Sequence, residues 1–232
     1  MEVRHMKVLG ISSSPRKSQT EEALRMSLET FQSFADTTTT FYTLRAKPLH
    51  FCIHCNRCIR ENLLYCPTYE DAMDALYPLV QEADVLVLAS PVYNMAPNAQ
   101  MMAMINRLRP LGKLLTKGLW ASKVGISIAV GGVRNGGQES TLDILNNALL
   151  SLGVSVVSGG ILAYNGGPIW SNHPDGTDEL GLESVGFLSR RAYWSAKMME
   201  QALHDHPDML GSQLAGFADE HQMEERMIRF RK

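Results

Sequence analysis

The feature that most constrains the fold is a regular alternation of strand-like and helix-like segments along the 232 residues. Apolar or β-branched runs predict five strands, and segments with helical spacing lie between them and after the last. The predicted strands are Met6 to Ser12, Thr37 to Leu44, Asp84 to Ser90, Lys123 to Val130 and Val154 to Leu162. Because parallel strands need crossover connections, this alternation indicates an α/β protein built as a three-layer sandwich of helix, sheet and helix.

Five helices complete this prediction, and Pro78 is expected to kink or shorten the second of them. They are Gln19 to Phe34, Asp71 to Ala83, Asn98 to Leu115, Gln138 to Leu152 and Leu182 to His204. Residues 1–204 are interpreted as one domain into which residues 45–70 are inserted, and residues 205–232 as a tail. Within that tail, Ala218 to Lys232 has the pattern of a short amphipathic helix that packs against another subunit.

Composition and charge narrow the classes of function. A net charge of -2 with 45% hydrophobic residues indicates a globular protein without the basic surface that nucleic acid or an anionic membrane requires. The longest apolar runs have the length of strands, so no membrane-spanning segment is expected. The first residues lead into a strand without the apolar core of a signal peptide, and we expect a cytoplasmic protein.

All four cysteines of the chain fall within fifteen residues, at Cys52, Cys55, Cys58 and Cys66. A C-x2-C-x2-C run with a fourth cysteine nearby is the ligand pattern of an iron–sulfur cluster, and the spacing suits a 4Fe-4S cluster. Zinc is a second interpretation, although zinc knuckles are normally separated by a dozen or more residues. Disulfides are a third and would need an oxidising compartment.

Three loops that follow predicted strands carry unusual residues. The first, Ser12 to Thr20, combines hydroxyl groups, two cations and a helix start, which suits a phosphate dianion. The second, Ser90 to Pro97, has two prolines that are expected to fix its turn, with Tyr93 available to pack on a ring. The third, Gly131 to Gln138, has four glycines within seven residues, which allow a ligand to approach the main chain. Ligands of open parallel sheets bind at this edge, so the sequence predicts a shared site.

The residues of these loops resemble a known family. The Ser-Pro-Arg loop at 12–20, Ser-Pro-Val-Tyr at 90–93 and Gly-Gly-x-Arg-Asn-Gly-Gly-Gln-Glu at 131–139 are similar to the FMN-binding loops of the NADPH-dependent FMN reductase superfamily. With the compact cysteine motif, the resemblance narrows to the iron-sulfur flavoproteins and covers about residues 6 to 204. One departure is Ser18-Gln19-Thr20, where many relatives read Gly-Asn-Thr.

The resemblance implies a flavodoxin-like fold with strand order 2-1-3-4-5, one FMN, and one 4Fe-4S cluster held by Cys52, Cys55, Cys58 and Cys66. The implied phosphate-binding residues are Ser12, Ser14, Arg16, Ser18, Gln19 and Thr20. The implied ring-binding residues are Pro91, Val92, Tyr93, Asn94, Met95, Gly131, Gly132, Arg134, Gly136 and Gly137. It also implies a homodimer or homotetramer.

The resulting hypothesis is that electrons pass from a ferredoxin-like donor through the cluster to FMN and on to a small oxidant. No residue is assigned as a catalytic acid or base. One alternative is a direct NAD(P)H-dependent FMN or quinone reductase in which the cysteines hold zinc or nothing. Another is a non-catalytic electron carrier or redox sensor that acts through a protein partner.

Overall fold

The structure is a computed structural model that describes residues 4–115, 120 and 122–206. The predicted tail helix lies outside the described residues. Among the helices of the described part, none is both long enough and apolar enough to cross a membrane.

One sheet forms the centre of the molecule, with the order β2-β1-β3-β5-β6. All neighbours along this path are parallel, and β7 also pairs with β5 in parallel. The strands are β1 (Met6–Ser12), β2 (Thr37–Thr43), β3 (Val85–Tyr93), β4 (Ala96–Pro97), β5 (Val124–Gly131), β6 (Ser155–Val156) and β7 (Gly167–Trp170). The order confirms the flavodoxin-like arrangement, with β2 at one edge of the sheet.

The predicted count of five strands is wrong, because the described residues already form a sheet of seven. The predicted fifth strand, Val154 to Leu162, pairs with β5 only at Ser155 and Val156. The chain then leaves the sheet and returns as β7, which pairs with Ile128 to Gly131 at the other end of β5. The other strand that was not predicted is β4, whose two residues pair antiparallel with the end of β3.

The described helices are α1 (Gln19–Gln32), α2 (Arg57–Arg60), α3 (Ala72–Glu82), α4 (Ala99–Arg107), α5 (Gly112–Leu115), α6 (Gln138–Ser151) and α7 (Glu179–Asp205), with 3-10 turns at Arg109–Leu111 and Gly160–Leu162. The prediction of one helix from Asn98 to Leu115 is wrong, because Pro110 lies in a 3-10 turn between α4 and α5. Pro78 lies inside α3, which continues to Glu82, so the expected shortening does not occur.

Side chains that alternate along the strands face two separate cores, as the period of two requires. Val85, Val87 and Ala89 of β3 contact the core formed with α1 and α7. Leu86 and Leu88 of the same strand contact the core formed with α3, α4 and α6. The two cores confirm the three layers and explain why β3 and β5 are almost wholly apolar.

Residues 44–71 connect the carboxyl end of β2 to the start of α3 and contain the four cysteines. The only helix in this connection is α2, a single turn that includes the buried Cys58. Outside this helix, four residues of the connection have a positive φ, namely Ala46, His54, Asn56 and Asn62. The segment is therefore mostly irregular and depends on contacts with the rest of the molecule.

Lys123 is a buried cation at the start of β5, with 6% of its surface exposed. Its Nζ donates hydrogen bonds to the carbonyl oxygens of Gln81, at 2.8 Å, and Ala83. These carbonyls belong to the end of α3 and the residue that follows it, so Lys123 joins α3 to β5. Burial lowers the pKa of Lys123 to about 8, and the nearby carboxylate of Asp84 opposes that shift.

This shift predicts how stability depends on pH. Because the folded pKa of about 8 lies below the unfolded value of 10.5, the unfolded chain binds more protons between these pH values, and Lys123 makes the free energy of unfolding rise with pH. Replacing Lys123→Met should remove this contribution. Between about pH 7 and pH 10.5, the free energy of unfolding of the wild type should then rise by on the order of 3 kcal/mol relative to that of the variant. Urea unfolding across this range measures it, and parallel pH profiles would contradict it.

Candidate functional site

The three loops singled out in the sequence lie side by side at one edge of the sheet. β1 pairs with β3, and β3 pairs with β5, all in parallel. Their carboxyl ends therefore point the same way, which is where open α/β sheets bind ligands.

The loop after β1 is ordered by its own serines. Ser12 and Ser14 are buried, and the Ser14 amide donates to Ser12 Oγ at 3.3 Å. Ser14 Oγ donates to the carbonyl of Arg16 at 2.7 Å and lies 3.0 Å from Ser18 Oγ. Two of the predicted phosphate ligands, Ser14 and Ser18, are thus in direct contact.

The start of α1 adds a positive end to this loop. Ser18 is its N-cap residue, but the Ser18 side chain makes no capping hydrogen bond to the helix. Among the other predicted phosphate ligands, Arg16 is exposed, Gln19 is half-buried and Thr20 is buried. Amides at a helix start, with hydroxyls beside them, suit an anionic group.

Glu21, in the first turn of α1, is a buried carboxylate that the sequence reading did not single out. Its Oε1 accepts hydrogen bonds from Thr43 Oγ1 and Arg45 Nε, both at 3.1 Å. It therefore ties α1 to the end of β2, where the cysteine segment begins.

The loop after β3 is a tight hairpin. Val92 pairs with Pro97 and Tyr93 pairs with Ala96, so β3 includes Pro91 and Val92 and runs to Tyr93. Asn94 and Met95 form the turn, with φ of 51° and 65°. Positive φ at both central residues is the pattern of a type I′ hairpin turn. The expectation that two prolines fix this turn is wrong. Tyr93 and Met95 are exposed at the tip.

The loop after β5 packs closely against that hairpin. Gly137 has φ of 95°, and a Cβ there would lie 2.8 Å from the Cα of Met95, so only glycine fits. Gln138 is buried, and its Nε2 donates to the carbonyls of Val133, at 2.9 Å, and Ile169, at 3.3 Å. Gly131 lies against Gln138, whereas Gly132 and Arg134 are exposed and Gly136 is half-buried.

A buried polar network joins the first two loops. Asn98, the N-cap of α4, donates from Nδ2 to the carbonyl of Ser13 at 2.7 Å, and its amide donates to Ser90 Oγ at 3.1 Å. Ser13 Oγ lies 3.2 Å from Ser90 Oγ. The sequence reading included neither Asn98 nor Ser13 among the site residues. Asn98 does carry a local signal, as an asparagine just before an apolar helix.

A cleft of about 530 Å³ lies beside the second and third loops. Met95, Arg134 and Gly137 contribute to its wall. The opposite wall includes Trp170 at the end of β7 and His173, whose rings meet edge to face at 4.9 Å. Its volume lies within the range of small-molecule sites. This cleft was not predicted from the sequence, because no strand was predicted at 167–170.

All four cysteines line one small cavity of about 20 Å³, whereas the cleft beside the second and third loops has about 530 Å³. Each is a free thiol; Cys58 is buried and the other three are half-buried. Within the described residues, no three His, Cys, Asp or Glu side chains already have the arrangement that a metal ion requires. The structure thus brings the cysteines to one cavity without an assembled ligand set.

Two of the thiols have shifted pKa values. Burial raises the pKa of Cys58, with a further contribution from the nearby Cys66. A hydrogen bond with Thr68, whose Oγ1 is 3.4 Å from the sulfur, is the main reason that the pKa of Cys55 is lowered.

Asp71 joins the cysteine segment to the two helices beside it. Its carboxylate accepts from the amide of His50 at 2.9 Å, from the amide of Met73 at 3.0 Å, and from Arg107 Nη1 at 2.9 Å. Burial alone would raise the pKa of Asp71, but these hydrogen bonds outweigh it and the pKa lies below its usual value.

Comparison with known proteins agrees with this architecture. Residues 6–168 match the model of the family described as NADPH-dependent FMN reductase. An iron-sulfur flavoprotein of Archaeoglobus fulgidus is 36% identical over 189 residues, which cover 79% of this chain and 91% of the relative. An iron-sulfur flavoprotein of Methanocaldococcus jannaschii is 35% identical over 202 residues, covering 84% of this chain and all of the relative.

A solved structure, described as a flavodoxin, WrbA-like protein from Agrobacterium tumefaciens, is similar in fold, with a TM-score of 0.57 at 17% identity. The similarity covers 84% of this chain and 98% of that one. The chain therefore belongs to the NADPH-dependent FMN reductase family, with the iron-sulfur flavoproteins as its relatives, and is a flavin-dependent oxidoreductase.

Proposed function

We propose that this protein passes electrons from a ferredoxin-like donor, through a 4Fe-4S cluster held by its four cysteines, to FMN and on to a small oxidant. The observation that carries the proposal is the set of four free cysteines that line one cavity in a chain of this flavin-dependent family. When bound, the cluster would supply one-electron transfer and FMN would exchange one or two electrons.

The donor set fits the proposed cluster. Thiolates are the soft ligands that iron–sulfur clusters use, and the spacing of the motif matches a cluster. The proposed ligands are Cys52, Cys55, Cys58 and Cys66. Cys58 and the partly buried Cys66 are anchored to the molecule, the first in α2 and the second against the core formed with α3 and α4.

The first loop fits the FMN phosphate. In this proposal the hydroxyl of Ser18 and the amides at the start of α1 donate to its oxygens, while Ser14, whose Oγ donates to the carbonyl of Arg16, fixes the loop beside them. Arg16 is exposed at the same loop and supplies a positive charge. Thr20 lies in the first turn of the helix and supplies a further hydroxyl.

The second and third loops fit the flavin ring. Backbone amides and the exposed side chains of Tyr93 and Met95 would bind and orient it, because the tight turn presents them at the hairpin tip. Gly137 lets the two loops pack together. The cleft that shares Met95, Arg134 and Gly137 with these loops is then the place where an oxidant reaches the ring.

A second candidate function is direct reduction of FMN by NAD(P)H. The description of the matching family favours it, and a cleft of about 530 Å³ has room for a molecule much larger than dioxygen. In this alternative the cleft would take the nicotinamide, and the cysteines would not be needed for turnover.

The decisive experiment replaces one proposed ligand. Cys55→Ala, purified anaerobically, should lose most of its iron and sulfide, because removing a ligand weakens cluster binding by at least the roughly ten- to hundredfold loss of metal affinity that changes outside a ligand shell already cause. Its FMN content should remain, and ferredoxin-supported flavin reduction should fall in parallel with the iron. Iron, acid-labile sulfide and flavin are quantified together.

The matched control is His54→Asn, at a neighbouring position with positive φ that asparagine tolerates. It should keep its iron and sulfide. Full iron and sulfide in Cys55→Ala would refute the ligand assignment. Equal NADPH oxidation by wild type and Cys55→Ala, without ferredoxin, would instead support the second candidate function.

The phosphate assignment has its own test. The double variant Arg16→Ala, Thr20→Val removes a cation and a hydroxyl while keeping the volume of the buried Thr20. FMN affinity should fall about thirtyfold, since two such interactions together are worth about 2 kcal/mol. Riboflavin, which lacks the phosphate, should bind with nearly unchanged affinity in a fluorescence titration. Equal losses for the two ligands would show that these residues do not contact the phosphate.

A further inference from the structure

Beside the cysteine cavity lies a buried ion pair that the assignments above do not use. Arg107, at the end of α4, has 1% of its side chain exposed, and Asp71, the N-cap of α3, has 0%. Nη1 donates to Asp71 Oδ2 at 2.9 Å and Nη2 donates to Oδ1 at 3.3 Å. This two-pronged geometry holds the guanidinium in one orientation.

The pair is asymmetric with respect to the cavity. Arg107 is one of the lining residues of the cysteine cavity, whereas Asp71 is not. The positive member of the pair therefore contacts the cavity, and the negative member does not. In a buried environment water screens such a dipole only weakly, so it makes the potential in the cavity more positive.

One donor of Arg107 is left over. Nη1 also donates to the carbonyl of His50 at 3.0 Å, but Nε is buried and has no acceptor within the described part of the chain. A buried donor without a partner is costly, and more so on a charged group. Arg107 Nε is therefore a buried donor of this pair that can still accept a partner.

Neighbouring groups keep this arrangement in place. Tyr77 donates its hydroxyl proton to the carbonyl of Arg107 at 2.8 Å. The ring of Tyr69, which also lines the cavity, is 5.1 Å from the guanidinium carbon and stacks on His50. Tyr77 thus fixes the main chain of Arg107, and Tyr69 lies beside its guanidinium.

We propose that Arg107 favours the reduced form of the group held by the four cysteines, and that Asp71 positions it and moderates this effect. The inference rests on the proposed function. One-electron reduction by a ferredoxin-like donor adds one negative charge to that group, and a buried cation at the cavity wall stabilises the added charge. Arg107 is a positioning and electrostatic residue here, not an iron ligand.

A purely structural role for the pair predicts something different. Breaking a buried ion pair from either side destabilises the protein, so Arg107 and Asp71 variants would then disturb the cluster in the same way. An electrostatic role predicts changes of opposite sign. Removing the cation disfavours reduction, and removing the anion behind it favours reduction.

The test is a redox titration, followed by EPR, of anaerobically prepared holoprotein. At the wild-type midpoint potential, Arg107→Gln should lower the ratio of reduced to oxidised cluster at least about tenfold, which for one electron is a midpoint about 59 mV more negative. Asp71→Asn, which keeps the cap oxygen and Arg107, should raise the same ratio. Arg107→Lys, which keeps the charge but loses Nε, should lie between wild type and Arg107→Gln.

The matched control is Arg109→Gln. Arg109 also lines the cavity, and its charge opposes the rise of the Cys58 pKa, but it is exposed and donates to Asn56 Oδ1 at 2.8 Å. Because solvent screens its charge, Arg109→Gln should shift the midpoint in the same direction as Arg107→Gln but by less. Shifts of the same sign in Arg107→Gln and Asp71→Asn, or no shift in either, would overturn the inference.

If Arg107→Gln does not hold iron, the sign of the Asp71→Asn shift decides, since that variant retains the arginine. A negative shift or none in Asp71→Asn would then overturn the inference. Absence of iron and sulfide from the wild-type protein would refute the proposed function itself, which is a separate outcome.

Discussion

The arrangement of the cysteine segment depends on the hydrogen bonds that the carboxylate of Asp71 accepts. It binds the segment through His50, starts α3 through Met73, and holds the end of α4 through Arg107. The segment itself is mostly irregular and has few buried side chains of its own, so it cannot fix its position by packing alone. A single buried acceptor with several donors does this instead, and it does so beside the cavity that the cysteines share.

The three loops at the carboxyl edge of the sheet are connected to one another by a second set of buried contacts. Asn98 joins the loops after β1 and β3, and the close approach of Gly137 to Met95 joins the loops after β3 and β5. These contacts fix the three loops relative to one another through residues of the loops and of α4. A cofactor that enters such a site loses less binding energy to the ordering of loops, which is the advantage of a preformed site.

The sequence predicted those parts of the fold that follow from local patterns. The bounds of β1 and the start of α6 agree with it, because buried strands and amphipathic helices show their periodicity directly. It did not predict β7, whose four residues become a strand only through pairing with the distant end of β5. The pairing of Asp71 with Arg107, 36 residues apart, likewise leaves no local signal. For the site, the sequence predicted which loops share an edge and which segment holds the cysteines, but it did not predict the cleft beside Trp170. The cofactor contacts of the individual residues stay predictions.

The place beside β5 at the edge of the sheet is divided between β6 and β7, and this division has a consequence for solubility. An edge strand exposes unpaired amides and carbonyls that can recruit a strand from another molecule, and proteins often protect such edges by keeping them short. Here β6 offers two residues and β7 four, and between them the chain leaves the sheet for a 3-10 turn at Gly160–Leu162. No continuous ladder is therefore available along this side of β5 for intermolecular strand addition. The interruption that shortens this side of the sheet also protects this edge against edge-to-edge aggregation, whereas the opposite edge is formed by the seven residues of β2.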